Sequence, residues 1–406
     1  MAYRNFEYPL KAIWPRLKVA SAAALISNPL DAAINANGSF VDSATHDATL
    51  TTQLVTPPTH DAYFAYHGGT KTKFPGQNWN LFPVSDHYPA VDGNLNGYLS
   101  YNLGLQGAYW EVEFMTDALT PEVKFLSTGT SQGFAIVVDG QYLTNKTGTA
   151  AGAAGTRFVK MTFTGSRKVR RIQFRTSAAN GWGGVSVLPT DSIWAPPQND
   201  VITAAFTGDS YAEGQGLTVP WNPGAFFPVV ASDLLGWRDP RLTAVGSTGY
   251  LTTGGRSIVR AQLDWWDFTP DVVVVAAGAN DTAFSDTAVG NEAYETFKKI
   301  RAKYPQAPLF VFGPWAKFSG PSAGVISREV AIQNAFNTFS DPNSFFFPMN
   351  QAGNQWITGT GYIGATNGSG NSDFYIKSDG HPVDIGHEYI GRRVADCIRG
   401  VINSYT

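Results

Sequence analysis

Four short segments of the chain carry residue types able to act together chemically. Thr207-Gly208-Asp209-Ser210 puts a serine directly after an apolar run, and Gly246-Ser247-Thr248-Gly249 supplies small residues with free backbone amides. Gly278-Ala279-Asn280-Asp281 follows a run of valines, and Ser378-Asp379-Gly380-His381-Pro382 leads into Gly386-His387. A serine hydroxyl is a poor nucleophile at neutral pH and needs a base, the usual office of histidine. Amide donors are what a developing oxyanion requires. Singly, each segment has an ordinary explanation. Ser210 reads as a helix cap, Gly246 to Gly249 as a strand-to-loop turn, and Asn280-Asp281 as a turn closed by its own side chains. His381 reads as a surface residue before a helix.

The elements around these segments argue for more. From residue 201 strand and helix patterns alternate: strands over 201–206, 242–245, 271–277, 308–312 and 344–347, and helices over 225–235, 291–303 and 326–339. A last helix opens at His381-Pro382, with Ile385, Ile390, Val394, Ile398 and Val401 expected on one side. The 271–277 run is apolar throughout, as in a parallel strand covered on both faces. The alternation implies a doubly wound α/β domain, and every segment named above falls at the carboxyl end of one of its strands, where such sheets bind ligands.

The first half reads differently. Residues 1–60 offer no core of their own and are expected to be an arm that docks on the chain's own body or on a neighbouring subunit. Val19 to Ile26 is expected to be a short helix rather than the core of a signal peptide, because it lies far from Met1 behind Trp14-Pro15. Over 61–193 the period is two. Trp110, Val112 and Phe114 alternate with Tyr109, Glu111 and Glu113, and Val159, Met161 and Phe163 with Phe158, Lys160 and Thr162. Arg170, Ile172 and Phe174 alternate with Val169, Arg171 and Gln173, and Asp139-Gly140 is a hairpin signal. This predicts an all-β sandwich or jelly roll. The basic run 167–171 is expected to be a strand with solvated edges. Residues 194–200, with Pro196-Pro197, are a linker to the α/β domain at 201–406.

Composition narrows the classes. The chain has 406 residues, 15% of them charged and 13% aromatic, with 42 glycines and a net charge of −3. Low charge with many aromatics is the opposite of a disordered composition. The balance gives no field for nucleic acid, so no nucleic-acid partner is expected. No run of 18 apolar residues suggests a membrane span. The single cysteine, Cys397, excludes an internal disulfide and is expected to be buried on the last helix. His46, His60, His67 and His87 show no metal-ligand spacing, and Gly254-Gly255-Arg256-Ser257 lacks the lysine of a phosphate loop. No cofactor or metal is expected.

Taken together, the four segments stand in the order found in the SGNH hydrolase (GDSL esterase) superfamily, which residues 200–406 resemble. The resemblance implies an SGNH-type doubly wound parallel sheet, with Ser210 as nucleophile and His381 as its base. It implies an oxyanion hole made by the backbone N–H groups of Ser210 and Gly249 and the side-chain amide of Asn280. Asp209 and Asp281 are expected to brace their turns. One departure stands out: the family's aspartate three residues before the histidine is replaced by Ser378, and Asp379 lies two before. Either Asp379 orients His381 from a tighter loop, or the site works as a Ser–His dyad. His387 is expected to be structural.

Between Pro348 and His381 a long Gly-, Asn- and Thr-rich segment carries Trp356, Tyr362 and Tyr375, either as sugar-stacking rings or as cover for its own underside. Trp221, Trp265 and Trp266 are expected in the core. A β-sandwich ahead of such a domain resembles two-domain carbohydrate acetylesterases. The expected function is a serine esterase removing O-acetyl groups from polysaccharide. A virion setting, as in a phage tail or surface protein acting on host capsule or O-antigen, is expected, with other virion proteins as partners of the arm and homo-oligomers allowed. The alternatives are a lipase or thioesterase, a structural or adhesion protein with a vestigial hydrolase domain, and a non-catalytic sugar-binding module.

Overall fold

The computed structural model describes residues 13–24, 37–55, 59–73, 81–84, 109–127, 129, 133–144, 149–177, 180–217, 223–255, 257–316 and 320–405. The chain divides into two compact units. One contains residues 1–24, 201–216 and 226–406; the other contains 25–200 and 217–225.

The first unit is built on a five-stranded, all-parallel sheet with the order Asp239–Leu242, Thr203–Gly208, Val272–Ala276, Leu309–Phe312, Ser344–Phe347. Alternate residues of the central strands go to opposite cores. Val272, Val274, Phe310 and Phe312 face one cluster with Phe206, Phe227 and Ile390. Val273, Val275, Leu309 and Val311 face the other with Tyr250, Phe297 and Ile300. The continuous apolar runs in sequence are therefore explained by burial on both faces. In chain order the sheet runs 2-1-3-4-5, so the first strand lies between the second and third. The crevice at the carboxyl ends of the first and third strands is the switch point at which such sheets accept ligands.

The second unit is all antiparallel, with two seven-stranded sheets over the described residues. Val123, Phe125, Val159, Met161 and Trp182 from one sheet meet Trp110, Val112, Phe114, Phe134, Ile172 and Phe174 from the other. The period-two reading of these strands thus places the inward residues. Asp139 and Gly140, at φ 51° and 82°, form the tight turn between paired strands Gly133–Val138 and Gln141–Tyr142.

Several expectations change. Residues 1–60 do not form one arm. The helix Ile13–Ala22 buries Trp14 and Leu17 in the core of the parallel-sheet unit. Strands Gly38–Ser43 and Thr52–Val55 join the sandwich, pairing with Gly155–Phe163 and Gly181–Val187. The 13–24 segment is thereby docked within its own chain, which removes the motive for a partner subunit there. The strand expected at 242–245 ends at Leu242, and 243–249 is loop. Ile385, expected on the apolar side, is 49% exposed. In the basic run the strand begins only at Arg170, which is buried over the Phe163 ring, and Arg171 pairs with Glu113. Cys397 is half-buried and packs against the core of the parallel-sheet unit. Trp266 is buried and Trp265 half-buried, whereas Trp221 and His87 lie outside the described residues. Among the described residues no helix is long and apolar enough to cross a membrane.

Candidate active site

The strand Thr203–Gly208 delivers Ser210 through a sharp turn. A Cβ on Gly208 would stand 2.0 Å from the Ala276 carbonyl oxygen, so only glycine lets the two central strands approach this closely. Asp209 caps the short helix that follows, its carboxylate accepting from the Tyr211 N–H at 3.1 Å. Ser210 opens that helix, where a backbone N–H has no acceptor within the helix.

His381 sits on a tight hairpin-like turn. The Gly380 N–H donates to the Lys377 carbonyl at 2.9 Å, and the Lys377 N–H to the His381 carbonyl at 3.0 Å. His381 Nε2 lies 2.9 Å from Ser210 Oγ, and its Nδ1 lies 3.1 Å from Asp379 Oδ1. The carboxylate at one ring nitrogen makes Nδ1 the donor and leaves Nε2 to accept from the serine. The turn is short enough that the aspartate two residues before the histidine reaches the ring. That carboxylate also accepts from the His381 N–H at 3.1 Å and meets Lys377 Nζ at 3.1 Å. Partial burial pulls its pKa upward, but the His381 amide, Lys377 and His381 outweigh it and hold it below the ordinary value. Asp379 is about half exposed.

The amide donors behave unequally. Asn280 Nδ2 donates to the Thr248 carbonyl at 3.0 Å, which fixes the side chain and leaves its second N–H for a ligand. The Gly249 N–H donates to the Thr252 carbonyl at 2.8 Å, so it is already engaged. Asp281 braces this region as expected of it, accepting from the N–H groups of Tyr250, Leu251 and Thr252 at 2.7–3.0 Å. His387 is fully buried, with Nε2 donating to the Gln215 carbonyl at 2.9 Å and Nδ1 facing the Phe227 N–H at 3.4 Å. Burial lowers its pKa to about 4.

Of the aromatic residues of the 348–381 segment, Trp356 is not placed as a sugar platform. Trp356 is buried against Phe312 and Trp315, beneath the Arg393 guanidinium. Its ring covers the segment's underside and cannot be presented to a ligand. Tyr375 stacks on Tyr389 at 4.4 Å, and Tyr362 is half-buried in a bridge to Ala365.

Three supports had no sequence signal. Tyr211 stacks on Trp315 at 5.1 Å and donates to the Gly380 carbonyl at 2.5 Å, tying the Ser210 helix to the His381 turn. Gly216, at φ +106°, presses on the same turn: a Cβ there would lie 2.1 Å from the Pro382 carbonyl and 2.8 Å from His381 Cβ. Lys377 holds Asp379. Only the unusual spacing before His381 could have drawn attention to Lys377.

Among the described residues one cluster has ligands of the kind metals use: His67, Glu111 and Glu113, all buried. Arg175 reaches Glu111 at 2.7 Å, Arg171 pairs with Glu113, and His67 Nε2 lies 3.1 Å from Glu113. Two guanidinium groups therefore face the two carboxylates.

Residues 206–388 match the GDSL-like Lipase/Acylhydrolase family. No curated protein matches the chain in sequence. Among solved structures, the chain is similar to a family two carbohydrate esterase from Clostridium thermocellum in complex with cellohexaose. That match has 18% identity and a TM-score of 0.52, covering 74% of this chain and 94% of that one. A Corynascus thermopiles carbohydrate esterase family 2 enzyme with a carbohydrate binding domain matches at 18% identity and TM-score 0.50, covering 72% and 94%. A salicylyl-acyltransferase from a tetracycline biosynthetic pathway matches at 17% identity and TM-score 0.53, covering 87% and 99%. These likenesses are of fold. With its parallel sheet, its strand-end serine and the family match over 206–388, the chain carries a GDSL-like lipase/acylhydrolase domain preceded by a β domain.

Proposed function

We propose that the chain is a serine esterase that removes O-acetyl groups from polysaccharide. The observation that carries the reading is the continuous contact from Asp379 through His381 to Ser210, at 3.1 and 2.9 Å. In this reading Ser210 Oγ attacks the ester carbonyl while His381 Nε2 takes its proton. The imidazolium, steadied by Asp379, then protonates the departing sugar alkoxide. Water attacks the acetyl-enzyme by the same route reversed, releasing acetate and restoring Ser210. Negative charge on the carbonyl oxygen is met by the Ser210 N–H and the Asn280 amide. Gly249 joins them only if the oxyanion draws its N–H away from Thr252. The carbohydrate substrate class is supported by the fold shared with the family two carbohydrate esterases.

The test is hydrolysis of p-nitrophenyl acetate and octanoate, and acetate release from acetylated polysaccharides, by the wild type and Ser210→Ala. Acetate cleavage that falls about 10³-fold or more in the variant is the expected result. Octanoate preference would move the reading to a lipase, and equal background rates for both proteins would overturn the serine mechanism. A phage-borne setting is a further proposal: acetate release from capsule or O-antigen would support it, and release from acetylated xylan alone would remove it.

A further inference from the structure

The turn that carries His381 also carries a cation, Lys377. Its backbone closes the turn: the Gly380 N–H donates to the Lys377 carbonyl and the Lys377 N–H to the His381 carbonyl, bonds that any side chain at 377 would leave in place. The Lys377 ammonium lies 3.1 Å from Asp379 Oδ2. The other carboxylate oxygen, Oδ1, serves His381 twice, taking its backbone N–H and facing its ring Nδ1, each at 3.1 Å. The carboxylate is therefore divided between an inner oxygen that meets the ring and an outer one that meets the ammonium. Because the inner oxygen has its own anchor in the His381 amide, Asp379 stays beside the ring without help from Lys377. What the ammonium adds is electrostatic. It stands one carboxylate away from an imidazole that, in the proposed reaction, becomes positively charged on taking the Ser210 proton.

Neighbouring elements bring further titratable groups toward the ring. The helix Ser210–Glu213 brings Tyr211, its ring 5.9 Å from that of His381; burial drives its pKa upward, with the fields of Asp209 and Asp379 adding to the effect, so it is neutral. The helix Asp384–Ser404 brings His387, also neutral because burial lowers its pKa to about 4. The charges of His381 and Lys377 both press that pKa down further, so the ammonium is felt on the buried side of the site. On the ring itself Asp379 and Lys377 act in opposite senses: the carboxylate favours the imidazolium and the ammonium disfavours it. We infer that Lys377 is a positioning residue of the Asp379–His381 pair, one that holds the outer carboxylate oxygen and keeps the imidazole a weaker base, so that the ring remains able to accept the serine proton at lower pH than Asp379 alone would allow. The consequence for rate rests on the esterase reading above, whereas the effect on the ring does not require hydrolysis.

The protonation of His381, read in two ways on the full chain, tests the inference. One is NMR titration of its ring Cε1–H, assigned by the loss of that signal in His381→Gln. The other is the acid limb of kcat/KM for p-nitrophenyl acetate. Lys377→Met is expected to raise both midpoints by about 0.5 pH unit at low salt, the order of one charge acting at this range through a water-like dielectric. Lys377→Glu should raise them further, and Lys377→Arg should keep the wild-type values. Salt at about 1 M should shrink the Lys377→Met shift to less than half. A merely structural role would change kcat and leave the midpoints alone. Midpoints that agree across the wild type, Lys377→Met and Lys377→Glu, midpoints that fall in Lys377→Met, or an arginine variant that behaves like the methionine one would each overturn the inference. A wild type that fails to hydrolyse the ester while its His381 midpoint still moves on substitution would sink only the esterase reading.

Discussion

At the scale of single residues, the weakest part of the proposed machinery is the carboxylate. Asp379 is about half exposed and shares its charge with Lys377. Water and the ammonium both screen the field it exerts on the imidazole. Asp379→Asn is therefore expected to lower kcat by roughly 10- to 100-fold, well short of the ~10⁴ associated with a buried triad aspartate. An unchanged kcat would hand the orienting role to the turn's backbone. The spacing before His381 raised this question in the sequence, and only the turn could answer it, because the reach of a side chain across two residues depends on backbone hydrogen bonds. Gly216 is the opposite case. Nothing in its sequence neighbourhood marks it, yet a Cβ there would press on His381. Gly216→Ala is expected to displace His381 and reduce kcat at least about 10-fold with KM little changed. A wild-type kcat would show that the turn yields without consequence.

At the scale of elements, what was legible followed from burial. The valines of 272–276 and the alternating residues of 110–114 and 159–163 reported their strands because each face has a fixed destination. Elements whose faces are only partly covered were misplaced. The Asp239–Leu242 strand was expected later, and Ile385 lies in the first turn of the helix Asp384–Ser404 with its side chain in solvent. The same helix carries a pH-dependent clamp. His387 joins it to the Gln215 carbonyl and the Phe227 N–H, and it is neutral in the folded protein because burial lowers its pKa from 6.5 to about 4. Between those values the unfolded chain holds a proton that the folded chain refuses. Stability therefore falls as pH drops from about 6.5 to about 4, by up to about 3 kcal/mol from this group. Urea unfolding at pH 7 and pH 4.5 should show the loss, and His387→Gln should flatten the difference while lowering stability at pH 7. An acid slope unaltered in that variant would move the effect to other groups.

At the scale of the whole molecule, the two units differ in how openly the sequence declares them. The change from period two to alternating strand and helix patterns near residue 200 was plain. The allegiance of the first 60 residues was not, because a short helix shows only one buried stripe and its partners lie 185 residues away or more. Trp14 stacks on Tyr405 at 4.1 Å and meets Phe310 and Phe345 edge-on. Trp14→Ala is expected to cost about 3–5 kcal/mol. In calorimetry it should lower the transition of the parallel-sheet unit and leave that of the sandwich in place. A uniform shift of all unfolding would show that the units melt together.

The helix Ile13–Ala22 also sets a timetable. It packs beside the helices Phe227–Leu235 and Asp384–Ser404, so the sandwich is threaded into the sequence of the parallel-sheet unit between two of its own pieces. On a ribosome adding about 5–20 residues per second, the last of those partners emerges tens of seconds after the first helix. In the later part of that interval the sandwich strands are already complete and free to pair, while Trp14 and Leu17 still lack partners from the helix Asp384–Ser404. The parallel-sheet unit can close only once the helix Asp384–Ser404 has emerged, which makes the nascent helix Ile13–Ala22, rather than either finished unit, the segment most in need of a chaperone during synthesis.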